Sequence, residues 1–296
     1  KMDNKSKIIL ISGPTASGKS NFAIKVAKKV NGEIINADSM QVYKELRILT
    51  AKPLKKDYQK IPHHLYDFCS VKKNFSSGMW LKLAIKKIKE IKRRGNIPIL
   101  VGGTGLYFKA LTEGLVKIPK ILMSDREKVR KLQKKLGQEV FYNKLIKLDP
   151  LIKKKINKND IQRSIRAYEV KLFTKKSIIN WYKDTKPFFK KKEFLKLYIE
   201  VPKIELNKRI LKRTKQMMKD GAIKEVKKYL KINSTNKNST NKIIGISEIM
   251  ELIKKNITSN QAIELMSIKT RQYAKRQRTW SRKFMHDWQV ASFKRL

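Results

Sequence analysis

The segment GPTASGKS, residues 13–20, has the residue types and spacing of a loop that binds phosphate groups. Gly13 and Gly18 let the backbone curl so that its N–H groups converge on an anion. Lys19 adds a point charge, and the Ser20 hydroxyl is a ligand for Mg²⁺. The pattern therefore predicts a phosphate site with a magnesium ion. A glycine-rich turn without a ligand is the alternative.

The predicted elements around this loop place it at one end of a sheet. Apolar residues 7–12 predict a short buried strand before the loop, and residues 21–30 predict a helix after it. Residues 77–94 predict an amphipathic helix that Gly95 ends. Further strands are predicted at 33–36, 64–68 and 97–101. Strands that alternate with helices predict an α/β fold, a P-loop NTPase-like parallel sheet flanked by helices.

The pattern changes in the middle of the chain. Residues 119–189 predict helices and no strand. Ser124 is the predicted cap of one helix and Gly137 its end, and a second helix is predicted at 160–174. Strand character returns at 194–201. The simplest explanation is a helical insertion into the α/β core.

These boundaries predict two domains. Residues 1–118 and 190–296 form the predicted catalytic core with its C-terminal helices, and residues 119–189 form an all-helical insertion domain. Helices are predicted from 203 to near the end. The polar, low-complexity segment 231–242 is predicted to be a solvated loop without chemistry.

The expected metal-binding acid of a nucleotide hydrolase is missing. Such proteins usually carry an Asp at the end of a later strand, opposite the phosphate loop. Here strand 97–101 runs into Gly-Gly-Thr, residues 102–104. Asp38 instead follows strand 33–36 and opens the polar run DSMQVY. At the carboxyl end of the sheet this position suits a catalytic group, although Asp is also a common cap of turns and helices.

The charge balance indicates an anionic partner. The 296 residues include 72 Lys and Arg against 24 Asp and Glu, which gives a formal charge of +48. The codon bias of an AT-rich genome would enrich Lys, but it does not explain the scarcity of acids. We therefore expect a polyanion, with nucleic acid favoured over a membrane surface.

Cysteine content and hydropathy constrain the compartment. Cys69 is the only cysteine, so neither a disulfide framework nor a cysteine-based zinc site can form within the chain. The N-terminal apolar run is too short for a signal peptide, and no run approaches the roughly 20 apolar residues that span a bilayer. We therefore expect a soluble, cytoplasmic protein without a membrane partner.

A basic stripe runs along the predicted C-terminal helix. Its members follow each other at helical spacing and are Arg271, Lys275, Arg278 and Arg282. A separate apolar and aromatic face consists of Ile263, Met266, Tyr273 and Trp280. Because the basic stripe contains no acid, it predicts contact with RNA; a solvated charged face is the alternative.

Eight segments of the chain resemble one family, the tRNA dimethylallyltransferases of bacterial type, also called tRNA isopentenyltransferases. They follow the family's order and span nearly the whole chain. Together they are far more specific than the phosphate loop alone. The segments are GPTASGKS (13–20), NADSMQVYKELRILTAKP (36–53), PHHLYDF (62–68), ILVGGTGLYFKAL (99–111), NDIQRSIRAYEV (159–170), RILKRTKQMMKDG (209–221), IIGISEI (243–249) and TRQYAKRQRTWSR (270–282).

The resemblance implies a prenyl transfer. The loop would hold the diphosphate of dimethylallyl diphosphate, with Mg²⁺ as cofactor. The exocyclic amine of the adenosine 3′-adjacent to the tRNA anticodon would attack the allylic carbon and release pyrophosphate. An allylic carbon reacts once the negative charge of its diphosphate is stabilised. The implied partners are the tRNA anticodon stem-loop, whose adenosine must leave its stack, and dimethylallyl diphosphate, and the protein is expected to be a monomer.

The resemblance also assigns residues to these tasks. Asp38 would be the general base, Thr104 would lie near the reacting centre, and Arg213 would stabilise the diphosphate. Ser20 would bind the metal, and Gln41 would read the adenine edge. The implied diphosphate-binding residues are Gly13, Pro14, Thr15, Ala16, Ser17, Gly18, Lys19 and Ser20. The implied tRNA-binding residues are Asp38, Ser39, Met40, Gln41, Thr104, Arg126, Gln162, Arg163, Arg166, Lys275, Arg276, Gln277, Arg278 and Arg282.

Three positions depart from the family pattern. Leu49 stands where Gly is common, Ile246 where Tyr is usual, and Ser281 where an aromatic residue often stands. None belongs to the implied chemistry, but the departures leave the details of RNA contact open. The adjacent His63 and His64 are too few for a metal site and predict a structural role.

Three other functions stay open at this point. A P-loop small-molecule kinase would use the same loop but would produce ADP. An enzyme that prenylates free adenine nucleotides would not need the basic stripe. A non-catalytic RNA-binding protein would not need Lys19, Ser20 and Asp38 intact.

Overall fold

The core of the fold is a six-stranded sheet in which every neighbouring pair of strands is parallel. The computed structural model describes residues 7–58, 60–232 and 239–291. The strands are β1 (Ile8–Ser12), β2 (Gly32–Asn36), β3 (His63–His64), β4 (Ile97–Gly102), β5 (Phe194–Ile199) and β6 (Gln289–Ala291). Their order across the sheet is β3-β2-β4-β1-β5-β6.

Helices cover the sheet on both faces, which confirms the predicted α/β class. The helices are α1 (Lys19–Val30), α2 (Ser77–Arg93), α3 (Gly105–Glu113), α4 (Met123–Leu148), α5 (Ile161–Thr174), α6 (Ile178–Lys183), α7 (Lys203–Lys219), α8 (Ala222–Ile232), α9 (Ile246–Ile253) and α10 (Ser259–Phe284). Ile9 and Ile11 of β1 pack with α1 and α7, whereas Ile8 and Leu10 pack with α2 and α3. Both faces are apolar because both are covered.

Several predicted elements differ from the observed ones. The strand predicted at 64–68 is only the two-residue β3, and α3 and β6 were not predicted. The glycines of GGTGLY obscured the start of α3, since glycine lowers helix propensity. β6 is three residues long and largely exposed at the edge of the sheet, so its sequence carries no apolar pattern.

A second compact unit interrupts the first. One unit consists of Lys1–Thr112 and Phe189–Leu296, and the other consists of Glu113–Phe188; the insertion predicted from the sequence spans 119–189. The inserted unit contains α4, α5 and α6 around its own apolar core, which includes Phe141 and Leu145. Its helices therefore bury a core independently of the sheet.

One detail of α4 differs from the prediction and another agrees with it. Ser124 does not cap the helix: the carbonyl of Leu122 accepts the amide of Arg126 at 3.1 Å, so the first turn begins before Ser124. Gly137 has the non-helical angles φ 72° and ψ 169°, so the first helical segment of α4 ends there, as predicted, and a second segment follows directly after the kink. Glycine adopts this backbone conformation without steric cost.

The segment 231–242, predicted as a solvated loop, is partly structured. α8 continues to Ile232, and Ser239–Lys242 forms a short 3₁₀ turn; residues 233–238 lie outside the described residues. Thr240 is buried, and its hydroxyl is 2.8 Å from that of Tyr229. The polar composition predicted exposure here, but a hydroxyl group can be buried when it has a hydrogen-bond partner.

Candidate active site

The phosphate loop is curled by its local backbone. It joins the end of β1 to the start of α1, as predicted. Gly18 has φ 87° and Ala16 has φ 64°, and the amide of Ser17 donates to the carbonyl of Pro14 at 3.2 Å. A Cβ atom on Gly13 would come within 2.9 Å of Ser17 Oγ. The loop therefore requires glycine at its start, and its turn points toward the N-terminus of α1, where a helix attracts anions.

Lys19 is the first residue of α1 and belongs to this loop. Its ammonium donates to the carbonyl of Pro14 at 3.2 Å. Burial lowers the pKa of Lys19 from 10.5 to about 8; Asp38 opposes this shift and Arg213 adds to it. A buried ammonium held mainly by a carbonyl oxygen is incompletely compensated, so an anion in the loop would stabilise it.

Two arginines of α7, one turn apart, contact the loop from outside. Arg213 donates through Nη2 to Thr15 Oγ1 at 2.7 Å, and Arg209 donates through Nη1 to the carbonyl of Ser17 at 3.2 Å. Burial lowers the pKa of Arg213 to about 10, against the raising effect of Asp38, so it is charged near neutral pH. Arg209 was not among the residues predicted from the sequence. Its i, i+4 spacing from Arg213 was the available signal.

A polar cavity of about 310 Å³ opens above the loop. Its cationic lining consists of Lys19, Arg209 and Arg213, and Ser20 and Asp38 also line it. Three positive groups, loop amides and a helix N-terminus at one cavity match the charge of a diphosphate.

Asp38 is fixed by a buried asparagine. The Asp38 amide donates to Asn36 Oδ1 at 2.9 Å, and Asn36 Nδ2 donates to the carbonyls of Asp38 and Leu65, each at 3.0 Å. The Asp38 carboxylate accepts the amide of Met40 through Oδ1 at 2.9 Å. Asn36, which was not predicted from the sequence, thus fixes the path of the backbone where it leaves β2. Asp38 is held with one carboxylate oxygen bound to the backbone.

Thr104 is hydrogen-bonded to the segment that follows Asp38, and its role near the reacting centre stays a prediction. The Ser39 amide donates to Thr104 Oγ1 at 3.0 Å, and the Thr104 hydroxyl lies 3.3 Å from that of Ser39. A Cβ atom on Gly102 would lie 2.0 Å from the carbonyl oxygen of Ala37. Only glycine permits this approach, so the Gly-Gly-Thr segment closes against the end of β2 because it lacks a side chain there.

Gln277 of α10 joins two of these loops. Its Oε1 accepts the amide of Thr15 at 2.8 Å, and its Nε2 donates to the carbonyl of Gly103 at 2.9 Å. The resemblance places Gln277 among the tRNA-binding residues, which stays a prediction. Both ends of its amide are engaged within the protein, so the structure gives it a bridging position between the phosphate loop and the loop after β4.

A second, mostly apolar cavity of about 270 Å³ shares Thr15, Asp38 and Arg213 with the polar one. Its apolar walls include Leu49 and Met217. Apolar and charged surfaces thus meet at Asp38, which lines both cavities.

The wall segment 47–51 is held by residues that the sequence analysis missed or assigned differently. Glu225 of α8 accepts three consecutive amides, from Arg47, Ile48 and Leu49, at 2.6 to 2.9 Å. Gln41, predicted to read the adenine edge, donates through Nε2 to the carbonyls of Thr50 and Ala51, at 2.9 and 3.3 Å. This amide group holds the cavity wall, and its contact with the base stays a prediction.

The basic stripe on α10 is largely open to solvent. Arg271, Lys275 and Arg282 are exposed, and Arg278 is half-buried. On the other face, Met266 is buried against the α8 and α9 core. Arg276, which the resemblance places at the RNA, is exposed and lines the apolar cavity. The helix therefore separates a packed face from a charged one, as its periodicity predicted.

Four further predicted tRNA contacts lie in the inserted unit, on α4 and α5. Gln162 and Arg163 are exposed in the first turn of α5, whose cap is Asp160. Arg126 and Arg166 are half-buried, and both donate to the same carboxylate, that of Glu169. This unit brings the two arginines together although they are distant in sequence.

The three departures from the family pattern are all buried. Leu49 is 8%, Ile246 2% and Ser281 6% exposed. A Cβ atom on Gly245 would meet Leu49 Cδ2 at 2.6 Å, so the residues of this region are packed tightly. These three side chains therefore contribute to packing, and none of them offers an exposed aromatic ring to RNA.

Both adjacent histidines have partners within the protein. His63 stacks on Tyr58 with ring centroids 3.8 Å apart, and His64 Nε2 is 2.6 Å from the Glu33 carboxylate. Within residues 7–58, 60–232 and 239–291, no group of three or more His, Cys, Asp or Glu side chains could hold a metal ion. In the same ranges, no helix combines the length and apolar character needed to cross a membrane.

The parallel sheet, the phosphate loop after β1 and an acid after β2 define an α/β protein with a P-loop NTPase-like fold. The family model described as IPP transferase matches residues 41–284. The chain belongs to this family.

Curated relatives extend along nearly the whole chain. The tRNA dimethylallyltransferase of Pelagibacter ubique (strain HTCC1062) is 57% identical over 287 residues, which cover 97% of this chain and 92% of the relative. That of Rickettsia massiliae (strain Mtu5) is 46% identical over 293 residues, covering 96% and 80%.

Solved structures show the same architecture. A eukaryotic dimethylallyltransferase that acts on tRNA has a TM-score of 0.83 and 32% identity, with 96% of this chain and 73% of that chain covered. The tRNA isopentenylpyrophosphate transferase of Staphylococcus epidermidis has a TM-score of 0.67 and 35% identity, covering 98% and 94%.

Proposed function

We propose that this chain transfers a dimethylallyl group from dimethylallyl diphosphate to the exocyclic amine of the adenosine 3′-adjacent to the anticodon of tRNA. The observation that carries the proposal is the position of Asp38, which lines both a cationic phosphate cavity and an adjoining apolar cavity. The family membership supports the same reaction.

The cationic cavity is suited to stabilise the leaving group. As the bond between the allylic carbon and the diphosphate oxygen breaks, negative charge grows on pyrophosphate. Lys19, Arg209 and Arg213 line the cavity together with Ala16 and Gly18 of the loop. Because these charges are already in place before the reaction, little reorganisation accompanies bond breaking.

Asp38 is suited to take the proton from the adenosine amine. The amine is a weak nucleophile until it loses a proton, and a positioned base contributes about 10²–10⁴ in rate. The bond from the Met40 amide fixes one carboxylate oxygen. Thr104 accepts the amide of Ser39, and this bond supports the proposal that Thr104 holds the segment after Asp38 in place.

The donor set fits Mg²⁺ at the loop. Ser20 and Asp38 line the cavity that would hold the diphosphate, and both offer the oxygen ligands that this ion prefers. We propose Ser20 as the protein ligand, with phosphate oxygens and water completing the shell. Bound there, the ion would neutralise part of the diphosphate charge.

The RNA would be bound by exposed basic residues. The basic stripe of α10 and Arg126, Arg163 and Arg166 of the inserted unit are proposed to contact phosphate groups of the anticodon stem-loop. Flipping the adenosine out of its loop costs a few kcal/mol, and these contacts would offset it. We propose that the enzyme acts as a monomer, in the cytoplasm.

One assay tests the reaction and separates it from its rivals. The protein is incubated with Mg²⁺, dimethylallyl diphosphate and one acceptor: tRNA, an anticodon stem-loop with guanosine in place of the target adenosine, or AMP. Mass spectrometry of the nucleosides should show prenylated adenosine with tRNA alone. Prenylation of AMP but not of tRNA would overturn the proposed substrate. No prenylation, with ATP converted to ADP in a parallel reaction, would overturn the reaction class.

A further inference from the structure

Two arginines of the inserted unit converge on one buried carboxylate. Arg126 of α4 donates through Nε, and Arg166 of α5 donates through Nη1, to the same oxygen, Glu169 Oε2, each at 3.2 Å. The Glu169 side chain is 1% exposed, whereas those of Arg126 and Arg166 are 33% and 37% exposed. The carboxylate thus lies inside the unit, and the two guanidinium groups extend from it toward solvent.

Burying this carboxylate carries a cost that packing alone does not explain. A buried charge is strongly disfavoured unless it is paired, and an apolar residue of similar size would serve the core as well. Within the described parts of the chain, Glu169 Oε1 has no hydrogen-bond partner. The core therefore retains an incompletely satisfied acid at the point where two helices each supply an arginine.

The geometry orients both guanidinium groups. Each carries five N–H donors in a rigid plane, and one bond to Glu169 directs that plane while other donors stay available. Arg163 provides a contrast on the same helix, because it pairs with Asp160, which is itself 28% exposed. Glu169 is thus an internal anchor, whereas Asp160 is a partner at the surface.

We propose that Glu169 is a positioning residue for tRNA binding: it holds Arg126 and Arg166 side by side so that their remaining N–H groups bind RNA phosphate groups. This inference rests on the proposed function, since it requires that the two arginines contact tRNA. Glu169 itself would not touch the RNA.

A positioning role and simple electrostatics predict opposite effects of a Glu169 substitution on tRNA affinity. Glu169→Gln removes one negative charge close to a polyanion site, so electrostatics alone would strengthen tRNA binding. If the carboxylate orients the arginines, the same change weakens binding, because a neutral amide holds a guanidinium less firmly than a carboxylate does.

The test compares E169Q with a charge-matched control. Asp184→Asn in the same unit also removes one negative charge, from an exposed side chain that pairs with Lys176. The dissociation constant for tRNA is measured at several salt concentrations, together with kcat at saturating tRNA and KM for dimethylallyl diphosphate. We expect E169Q to bind tRNA about fivefold more weakly, with a shallower salt dependence, and D184N to bind unchanged or more tightly.

A double-mutant cycle tests whether Glu169 affects tRNA binding through Arg126. Arg126→Ala should weaken tRNA binding in the wild type and have a smaller effect in the E169Q background, because the arginine has already lost its anchor. kcat at saturating tRNA and KM for dimethylallyl diphosphate should stay at wild-type values. Tighter binding by E169Q, or fully additive effects in the cycle, would overturn the inference.

Two further measurements keep the outcome interpretable. Circular dichroism checks that E169Q is folded; if it is not, E169D provides the test, since it keeps the charge but shortens the side chain by one methylene. E169D should also weaken tRNA binding, and wild-type affinity in that variant would overturn the inference. Wild-type protein that fails to prenylate tRNA would instead overturn the proposed function, so the two failures are distinguishable.

Discussion

The phosphate-binding centre and the RNA-facing surfaces are built in opposite ways. In the centre, Asp38, Thr104 and Gln277 each make hydrogen bonds within the protein that fix their position. On the basic stripe, Arg271 and Lys275 are exposed. The arginines of the inserted unit are intermediate in this respect. Arg126 and Arg166 are half-buried, and both are bound to the buried carboxylate of Glu169.

The difference follows from what each region must do. Bond breaking is accelerated by charges already in place at about the right distance, and a shift of about 1 Å can cost on the order of 10²-fold in rate. Binding a polyanion depends on the number of neutralised phosphates and tolerates motion of each side chain. Rigid, internally bonded residues therefore indicate chemistry here, and loosely held cations indicate affinity. Four predictions test this division, in order of expected effect.

The largest effect is expected at Asp38. Asp38→Asn keeps an oxygen for the Met40 amide but removes the base, so kcat should fall by about 10²–10⁴. Asp38→Ala should likewise lose turnover. The tRNA dissociation constant should stay close to that of the wild type. A loss of tRNA affinity as large as that of an arginine variant of the basic stripe would mean that the roles are misassigned.

Gln277 tests whether a residue of α10 belongs to the centre or to the RNA surface. Gln277→Ala removes the bridge between Thr15 and Gly103, and we expect kcat to fall by about 10- to 100-fold with unchanged tRNA affinity. Gln272→Ala, on the exposed side of the same helix, is the matched control and should behave as wild type. If Gln277→Ala instead weakens tRNA binding and leaves kcat intact, its family-implied role as an RNA contact is correct.

The pH dependence of pyrophosphate binding tests the charge in the centre. Because burial lowers the pKa of Lys19 to about 8, the lysine is charged at pH 7 and mostly neutral at pH 9. Inhibition by pyrophosphate should therefore weaken as pH rises, by about tenfold over this range. Lys19→Arg stays charged, and the ratio of the two inhibition constants cancels the titration of pyrophosphate itself. A ratio independent of pH would contradict the assignment.

The smallest effect is expected on the basic stripe. Arg278→Ala should weaken tRNA binding by about fivefold and lower the salt slope by roughly 0.7 to 0.9 for one lost phosphate contact. Turnover at saturating tRNA should be unchanged. Lys28→Ala removes the same charge from an exposed position on α1 and should leave binding unchanged. Equal effects of the two variants would show that only net charge matters.

Local patterns predicted much of the fold and of the centre. The run Ile8–Ser12, the glycines of the loop and Lys19 are close in sequence, and their structure follows from φ preferences and burial periodicity. The same is true of α2 and α10, whose faces repeat every three or four residues. The length of β3 and the existence of β6 could not be predicted from periodicity, because neither strand is long enough to show a period.

The supporting residues of the centre could not be predicted in this way. Asn36 and Glu225 act through contacts with atoms of other segments, and each residue alone resembles an ordinary polar side chain. Glu225 meets the amides of the wall segment across 176 to 178 residues of chain. No periodicity in the sequence encodes such a distance.

The sequence by itself determined the phosphate loop, the parallel α/β class, the excess of positive charge and, through resemblance, the family. Those features depend on residue types that are neighbours in the chain or on composition. Only the tertiary structure decided which polar side chains hold the centre together: Gln277 meets Thr15 across 262 residues, and Glu169 gathers Arg126 and Arg166 from two helices. Such hydrogen bonds act over about 3 Å, so only the folded arrangement of the segments can form them.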